Sequence, residues 1–409
     1  MPTMGTVARE GGVGIVRTQF LDLPEPLMLD CGKKLSDVRI AYETYGELTR
    51  RKDNVILVCH ALSGDAHAAG WSEAEAQESA LDGFGAEERA IDSKKSLGWW
   101  DGMIGPGKAF DTDRYYVVST NLIGGCRGST GPSSTNPETG KPYGLDFPVI
   151  TVADMVHAQR AFLDELGIES ILTVSGGSLG GMQALEWAYN YPNDVKSIVP
   201  IASTAALNPQ GVAWNAIARN AIMADPDWQD GNYYGTGRAP GAGMGIGRMV
   251  GHVTYLSAQS MAAKFGRRLT NAAEISYTLT EPDFEVESYL RHQAAKFVNR
   301  FDANTYLYFS RALSYFDLAR QYGGGSLERA VAGFEAKTLL VCFSSDWLYP
   351  PENSQALAKA LGASGKEVEI QVIETSYGHD SFLLEEARQT PIVRDFLARV
   401  YDDVRRAGR

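Results

Sequence analysis

The sequence has no run of roughly 18 consecutive apolar residues, so no membrane-spanning helix is expected. It is short of positive charge: 38 Lys and Arg stand against 50 Asp and Glu, a formal net charge of −12, with no basic stripe. That argues against nucleic acid or an anionic membrane surface as partner. It also means that a polyanionic ligand would need locally basic ground or backbone N–H groups. Cysteine is scarce. Cys31, Cys59, Cys126 and Cys342 stand far apart, without the C-x-x-C spacing of a metal or redox site. Cys59 and Cys342 sit inside apolar runs and read as small core residues, and scattered free thiols suit a reducing cytoplasm. Residues 1–17 hold no apolar stretch of leader length, which also points to a cytoplasmic location. Asp65 and His67 have no further ligands at zinc spacing, so no metal is expected. Gly241 to Gly245 is glycine-rich but follows no strand, so it is no dinucleotide fingerprint, and no permanently bound cofactor is expected.

What is present is an ordinary globular composition, 44% hydrophobic over 409 residues, enough for one α/β core carrying a large insertion. The first ~25 residues, weakly patterned, read as a surface arm. Val38 to Tyr42 alternates as a half-exposed strand does, whereas Asn54–Cys59 and Tyr115–Ser119 are continuous apolar runs, as buried parallel strands are. Ala68 to Ser96 is polar and rich in Glu and Ala and reads as a solvated excursion. Thr151 or a neighbour caps a helix that Gly167 ends. Ile171–Val174, a glycine-rich turn, a helix stopped by Pro192 and the run Ser197–Ala202 then give a β-turn-α-β order, hence a mostly parallel doubly wound sheet. From about 208 to 333 the strand signal vanishes. The segment is helix-patterned, with a glycine-rich break at Gly231 to Gly247, and its aromatics, Tyr306, Tyr308, Phe309, Tyr315 and Phe316 among them, read as its own core. The expected organisation is a core of 1–207 and 334–409 with an inserted helical lid of 208–333. Sheet pattern returns at Thr338–Phe343 and Val368–Ile373, around a helix near Ser354 to Leu361, and a last helix starts near Leu383.

Gly176-Gly177-Ser178-Leu179-Gly180 matches G-x-S-x-G between an apolar strand and an amphipathic helix, the context of a nucleophile elbow. Side chains flanking so tight a turn would clash, hence the glycines. A serine hydroxyl needs a base, and on this architecture an acid and then a histidine follow the serine in chain order. Of six histidines, only His379 follows a strand in the last part of the sheet, and Asp346 ends the strand run before it. Ser178 is therefore assigned as nucleophile, His379 as base and then acid, and Asp346 as the group that orients the imidazole. His157 lies on a helix, and His252 and His292 fall in the insertion. The amide after the nucleophile, Leu179, supplies one oxyanion donor, and the loop His60 to Gly64 supplies the other, at Leu62 or failing that Ala61.

Several long blocks, all in one order, carry a resemblance. They include Cys59 to His67, Trp99 to Lys108, Gly124 to Pro132, Tyr143 to Pro148, Gly176 to Gln183, Arg248 to Ser257 and Tyr377 to Asp380. Over nearly its whole length the chain resembles the homoserine O-acetyltransferases of the α/β-hydrolase fold. Leu179 stands where that family often has Met, a change that leaves the backbone N–H in place. The resemblance implies acetyl transfer from acetyl-CoA to the hydroxyl of L-homoserine in methionine biosynthesis, by ping-pong chemistry. Acceptor binding would fall on Arg248, Tyr255 and Asp380, and assembly on a homodimer built through the lid helices. A guanidinium for the carboxylate and a carboxylate for the ammonium is what a zwitterion requires. Relatives that use succinyl-CoA tend to carry Arg after the Asp-Trp pair; here Asp346-Trp347 is followed by Leu348, which offers a distal carboxylate nothing, so acetyl is favoured. Serine as acceptor, homoserine O-succinyl transfer and, in another class, an esterase are the alternatives.

Overall fold

The structure is a computed structural model that describes residues 12–73, 97–270 and 274–407. Its centre is an eight-stranded sheet: β1 (Gln19–Asp22), β2 (Arg39–Tyr45), β3 (Val55–Cys59), β4 (Tyr116–Thr120), β5 (Thr173–Gly177), β6 (Ser197–Ile201), β7 (Lys337–Phe343) and β8 (Val368–Ile373). Across the sheet the order is β1-β2-β4-β3-β5-β6-β7-β8. The pairings β1–β2 and β2–β4 are antiparallel and all others parallel. Every residue of β3, β5 and β6 is buried, which is why these strands are unbroken apolar or small runs rather than alternating ones.

Helix α1 (Val152–Glu165) starts on Thr151, whose hydroxyl accepts the Asp154 N–H while the Asp154 carboxylate accepts the Thr151 N–H, a capping box that satisfies two orphan donors. Its neighbour α2 (Leu179–Asn190) follows β5 directly. Between β6 and β7 the chain leaves the sheet and builds α3 (Pro209–Ala224), α4 (Gly241–Tyr255), α5 (Ala258–Phe265), α6 (Glu285–Val298), α7 (Ala303–Tyr315), α8 (Leu318–Tyr322) and α9 (Leu327–Val331). Helices α10 (Pro351–Ala363), α11 (Ser381–Leu384) and α12 (Glu386–Ala407) complete the core. No helix of the described residues is long and apolar enough to cross a membrane.

Two expectations change. Residues 19–22, read within a surface arm, form the edge strand β1, paired from Gln19↔Tyr42 to Asp22↔Arg39. The glycines from 241 to 247 form no break: they are the first half of α4. A Cβ at Gly243 would lie 2.3 Å from the Ala221 carbonyl oxygen, and one at Gly247 3.4 Å from Ala218 Cβ, so the absent side chains let α4 press against α3. Of the segment read as a solvated excursion, residues 74–96 lie outside the described residues, while Ala68 and Ala69 at its start are buried.

Candidate active site

The carboxyl ends of the parallel strands supply the reactive groups. β5 runs into Ser178, which holds the left-handed conformation φ 57°, ψ −117°. A non-glycine residue there is strained by about 1–3 kcal/mol and persists only where its surroundings enforce it. They do so through close packing. A Cβ at Gly176 would sit 2.4 Å from the Cys59 carbonyl oxygen, and one at Gly180 2.1 Å from the same atom. The glycines thus let the elbow lie against the end of β3, and the Ser178 N–H is tied to the Ile201 carbonyl at 2.9 Å. Leu179 opens α2, so its amide has no acceptor within the helix.

Asp346 follows β7 and is 2% exposed, so its carboxylate must be fully engaged. Oδ1 accepts the Leu348 and Tyr349 N–H groups at 3.0 and 2.9 Å, and Oδ2 takes His379 Nδ1 at 2.8 Å. Nδ1 is thereby the protonated nitrogen, leaving Nε2 as the acceptor. Burial by itself would lower the His379 pKa, but the charge of Asp346, its hydrogen bond and the charge of Asp380 outweigh burial and hold it above the ordinary 6.5. The ring is wedged between Tyr349 and Phe382, with centroids at 5.0 and 5.6 Å.

Ser178 and His379 line one cavity of about 210 Å³, together with Leu62, Arg248, Tyr255 and Asp380. Beyond Ser178, and sharing Leu62 and Tyr255 with it, lies a smaller chamber of about 50 Å³ that takes in Trp214, Leu348 and Tyr349. None of the described residues lining that chamber is cationic. Ala61 lines the larger cavity beside Leu62.

Arg248 and Asp380 both line the larger cavity, one from α4 and the other from the turn after β8. Among the described residues neither has an ion-pair partner within 4 Å. The Arg248 Nε–H is buried and, among the described residues, has no acceptor, its guanidinium lying over the rings of Phe297 and Tyr255 at 4.7 and 5.7 Å. The Asp380 carboxyl is raised by burial, which the charges of His379 and Arg248 only partly offset. A buried donor on a cation without an acceptor is costly, and one beside a cavity leaves an open position for a ligand's acceptor.

All nine residues singled out from the sequence therefore lie at or beside Ser178: eight line the two chambers or hold the imidazole, and Leu179 is buried behind the elbow. Three neighbours carried no assignment. Tyr349 packs on the His379 ring and lines the smaller chamber with Ser178, while burial pushes its phenol far up. Arg300 and Trp99 line the larger cavity. Trp99 stood within one of the resembling blocks; nothing local to Arg300 marks it. His60, buried behind the Leu62 loop, accepts the Leu122 N–H at Nε2 (3.2 Å), and its Nδ1 lies 2.7 Å from the Ala61 carbonyl.

Residues 54–386 match the family model described as alpha/beta hydrolase fold. The chain is 49% identical over 389 residues to the homoserine O-acetyltransferase of Methanohalobium evestigatum, covering 95% of this chain and 75% of that protein. It is 49% identical over 394 residues to that of Solidesulfovibrio magneticus, covering 96% and 94%. Among solved structures, the homoserine O-acetyltransferase of Bacillus anthracis superposes with a TM-score of 0.81 at 28% identity, over 95% of this chain and 98% of that one. Esterase E22 superposes equally well, with a TM-score of 0.81 at 31% identity over 93% and 100%. Superposition alone therefore does not separate the two, but near-half identity along almost the entire sequence does: the chain belongs to the α/β-hydrolase fold and, within it, to the homoserine O-acetyltransferase family.

Proposed function

We propose that this chain transfers acetyl from acetyl-CoA to the hydroxyl of L-homoserine through an acyl-serine intermediate, and so serves methionine biosynthesis. The observation that carries the reading is the pair of opposite charges, Arg248 and Asp380, which line the cavity of Ser178 and, among the described residues, have no ion-pair partner within 4 Å. They match the carboxylate and ammonium of an amino acid. A water acceptor, as in an esterase, has no use for them.

In the first half-reaction the Ser178 hydroxyl attacks the thioester carbonyl while His379 Nε2 takes its proton. Charge gathers on the carbonyl oxygen, facing the Leu62 and Leu179 amides. The C–S bond breaks, and the thiolate leaves with the proton from His379. Homoserine then enters, its carboxylate on Arg248 with Tyr255 alongside and its ammonium on Asp380. Nε2 takes the hydroxyl proton, the alkoxide attacks the acyl-serine, and Ser178 leaves with the proton returned. Asp346 holds the tautomer and balances the imidazolium in both halves.

The 50 Å³ chamber is the acyl pocket in this account. With Leu348 in its wall and no cation lining it, it suits an acetyl group and gives a succinyl carboxylate no partner. Residues 208–333 act as the lid that carries the acceptor-binding Arg248 and Tyr255. Its exposed apolar side chains Ile217, Met223, Ile246 and Val253 suit a homodimer through the lid helices. The four free thiols suit a cytoplasmic setting. Serine is one methylene shorter than homoserine, a difference worth only ~1–3 kcal/mol in a pocket, so acceptor choice must be measured. The test is thiol release from acetyl-CoA or succinyl-CoA with homoserine, serine or no acceptor. Release should depend on homoserine and prefer acetyl-CoA; equal release without any amino acid would overturn the reading in favour of a hydrolase.

A further inference from the structure

The geometry points to Arg300 and Arg127 as a phosphate-binding rim that holds the nucleotide end of the acyl-CoA donor while its thioester reaches Ser178. The inference rests on the acyltransferase reading and adds a subsite to it. Arg300 follows α6 and lines the same cavity as Ser178. Arg127, in the loop after β4, donates from Nη2 to the Arg300 carbonyl at 2.8 Å, so a segment distant in sequence brings a second guanidinium against the Arg300 backbone, where its charge bears on that of Arg300. Among the described residues neither has a carboxylate within 4 Å. Both are exposed overall, unlike Arg248. Phe297 packs beneath two cations at once, Arg248 at 4.7 Å and Arg300 at 5.6 Å. Although Arg300 is exposed overall, its guanidinium packs on the Phe297 ring, and burial there, then the charges of Arg248 and Arg127, lowers its pKa, with Asp65 opposing. The Asp65 carboxylate is turned to the His67 N–H at 3.0 Å.

Like charges gathered without counterions are unfavourable unless an anion joins them. The amino-acid acceptor brings one carboxylate and one ammonium, which Arg248 and Asp380 already match, so two further guanidiniums are surplus to it. The donor brings a pyrophosphate and a 3′-phosphate, which a chain of net charge −12 would otherwise repel. Arginine forks suit phosphate oxygens, and an outer position suits the end of the donor that stays outside a 210 Å³ cavity. Trp99 forms another part of the wall, its indole fixed by Nε1–H donation to the Asp65 carbonyl at 3.0 Å and by stacking on buried Trp100 at 5.1 Å.

The experiment compares two donors, acetyl-CoA and S-acetylpantetheine, which carries no phosphate, by thiol release at saturating homoserine. In a ping-pong scheme kcat/KM for the donor reports only steps up to the acyl-enzyme. Arg300→Gln should lower the ratio of kcat/KM for acetyl-CoA over S-acetylpantetheine by about tenfold, the order of one lost charge-assisted contact. Arg300→Lys should recover part of it, and rising salt should lower the same ratio in the unsubstituted protein. A ratio that neither Arg300→Gln nor salt moves would overturn the rim. So would a loss that falls on kcat/KM for homoserine instead, since Arg300 would then belong to the acceptor. Failure of the acyltransferase reading is distinguishable, because it would appear in the unsubstituted protein as no homoserine-dependent release from either donor.

Discussion

The two walls of the cavity are fixed by different means. On the core wall, backbone geometry places the reactive groups: Ser178 is forced to φ 57° by glycines pressed on the end of β3, and Asp346 is pinned by two amides and an imidazole. On the inserted wall, Arg248 and Tyr255 ride on a helix held by packing, and Arg248 keeps a buried Nε–H unsatisfied. The walls are joined at a few points. Trp347 Nε1 donates to the Leu256 carbonyl at 2.9 Å, and the Ser257 hydroxyl donates to the Ser376 carbonyl. Gly378, next to His379, approaches so closely that a Cβ would be 2.6 Å from the Tyr255 carbonyl oxygen. In the proposed reaction the labour divides: the core would make and break the acyl bond, and the insertion would decide what receives the acyl group. The register between them is kept by the contacts at 256–257.

If the division holds, the largest effect belongs to the core. Ser178→Ala should lower turnover at least about 10³-fold with every acceptor, measured by thiol release, because the acyl-enzyme cannot form. Arg248→Ala should act on one half-reaction. We expect kcat/KM for homoserine to fall by about 10²-fold, since removing one partner of a desolvated charge pair costs about 2–5 kcal/mol. Acylation by acetyl-CoA, followed in a rapid-quench experiment, should change far less. Equal losses in both halves would erase the distinction.

The elbow was legible because its causes are local: a strand run, glycines on both sides of Ser178 and a helix start, all within about a dozen residues. The strands at Ser197–Ile201 and Val368–Ile373 were legible for the same reason. The glycines of α4 misled because glycine costs about 1 kcal/mol in an isolated helix; contact with Ala221 and Ala218, invisible in the local sequence, reverses the preference. Strand β1 was missed because it is short, mostly exposed and gains its register only from β2. Arg248, Tyr255 and Asp380 were found through resemblance, while Arg300 reaches the cavity by a long-range fold that no spacing records.

The acidity of the reaction sharpens the core side. His379 must be neutral to accept a proton, and its pKa is held above 6.5. Activity should therefore fall by about tenfold per pH unit below that pKa, so the acidic limb of kcat/KM for acetyl-CoA should lie above pH 6.5. Asp346→Asn removes the raising charge and should move the limb down as turnover drops. An unmoved limb would mean that another group titrates. The smallest effect concerns the acyl pocket, where Leu348→Arg should raise the use of succinyl-CoA relative to acetyl-CoA by a few-fold in the same assay. No change in that preference would remove the residue from acyl choice.

The acyl-serine intermediate can be read from the mass of the protein after acetyl-CoA is added without an amino acid. The protein should gain one acetyl group, located by peptide mapping on Ser178 and discharged rapidly when homoserine is added. No adduct at Ser178, or one that water removes as fast as homoserine does, would contradict the proposed transfer.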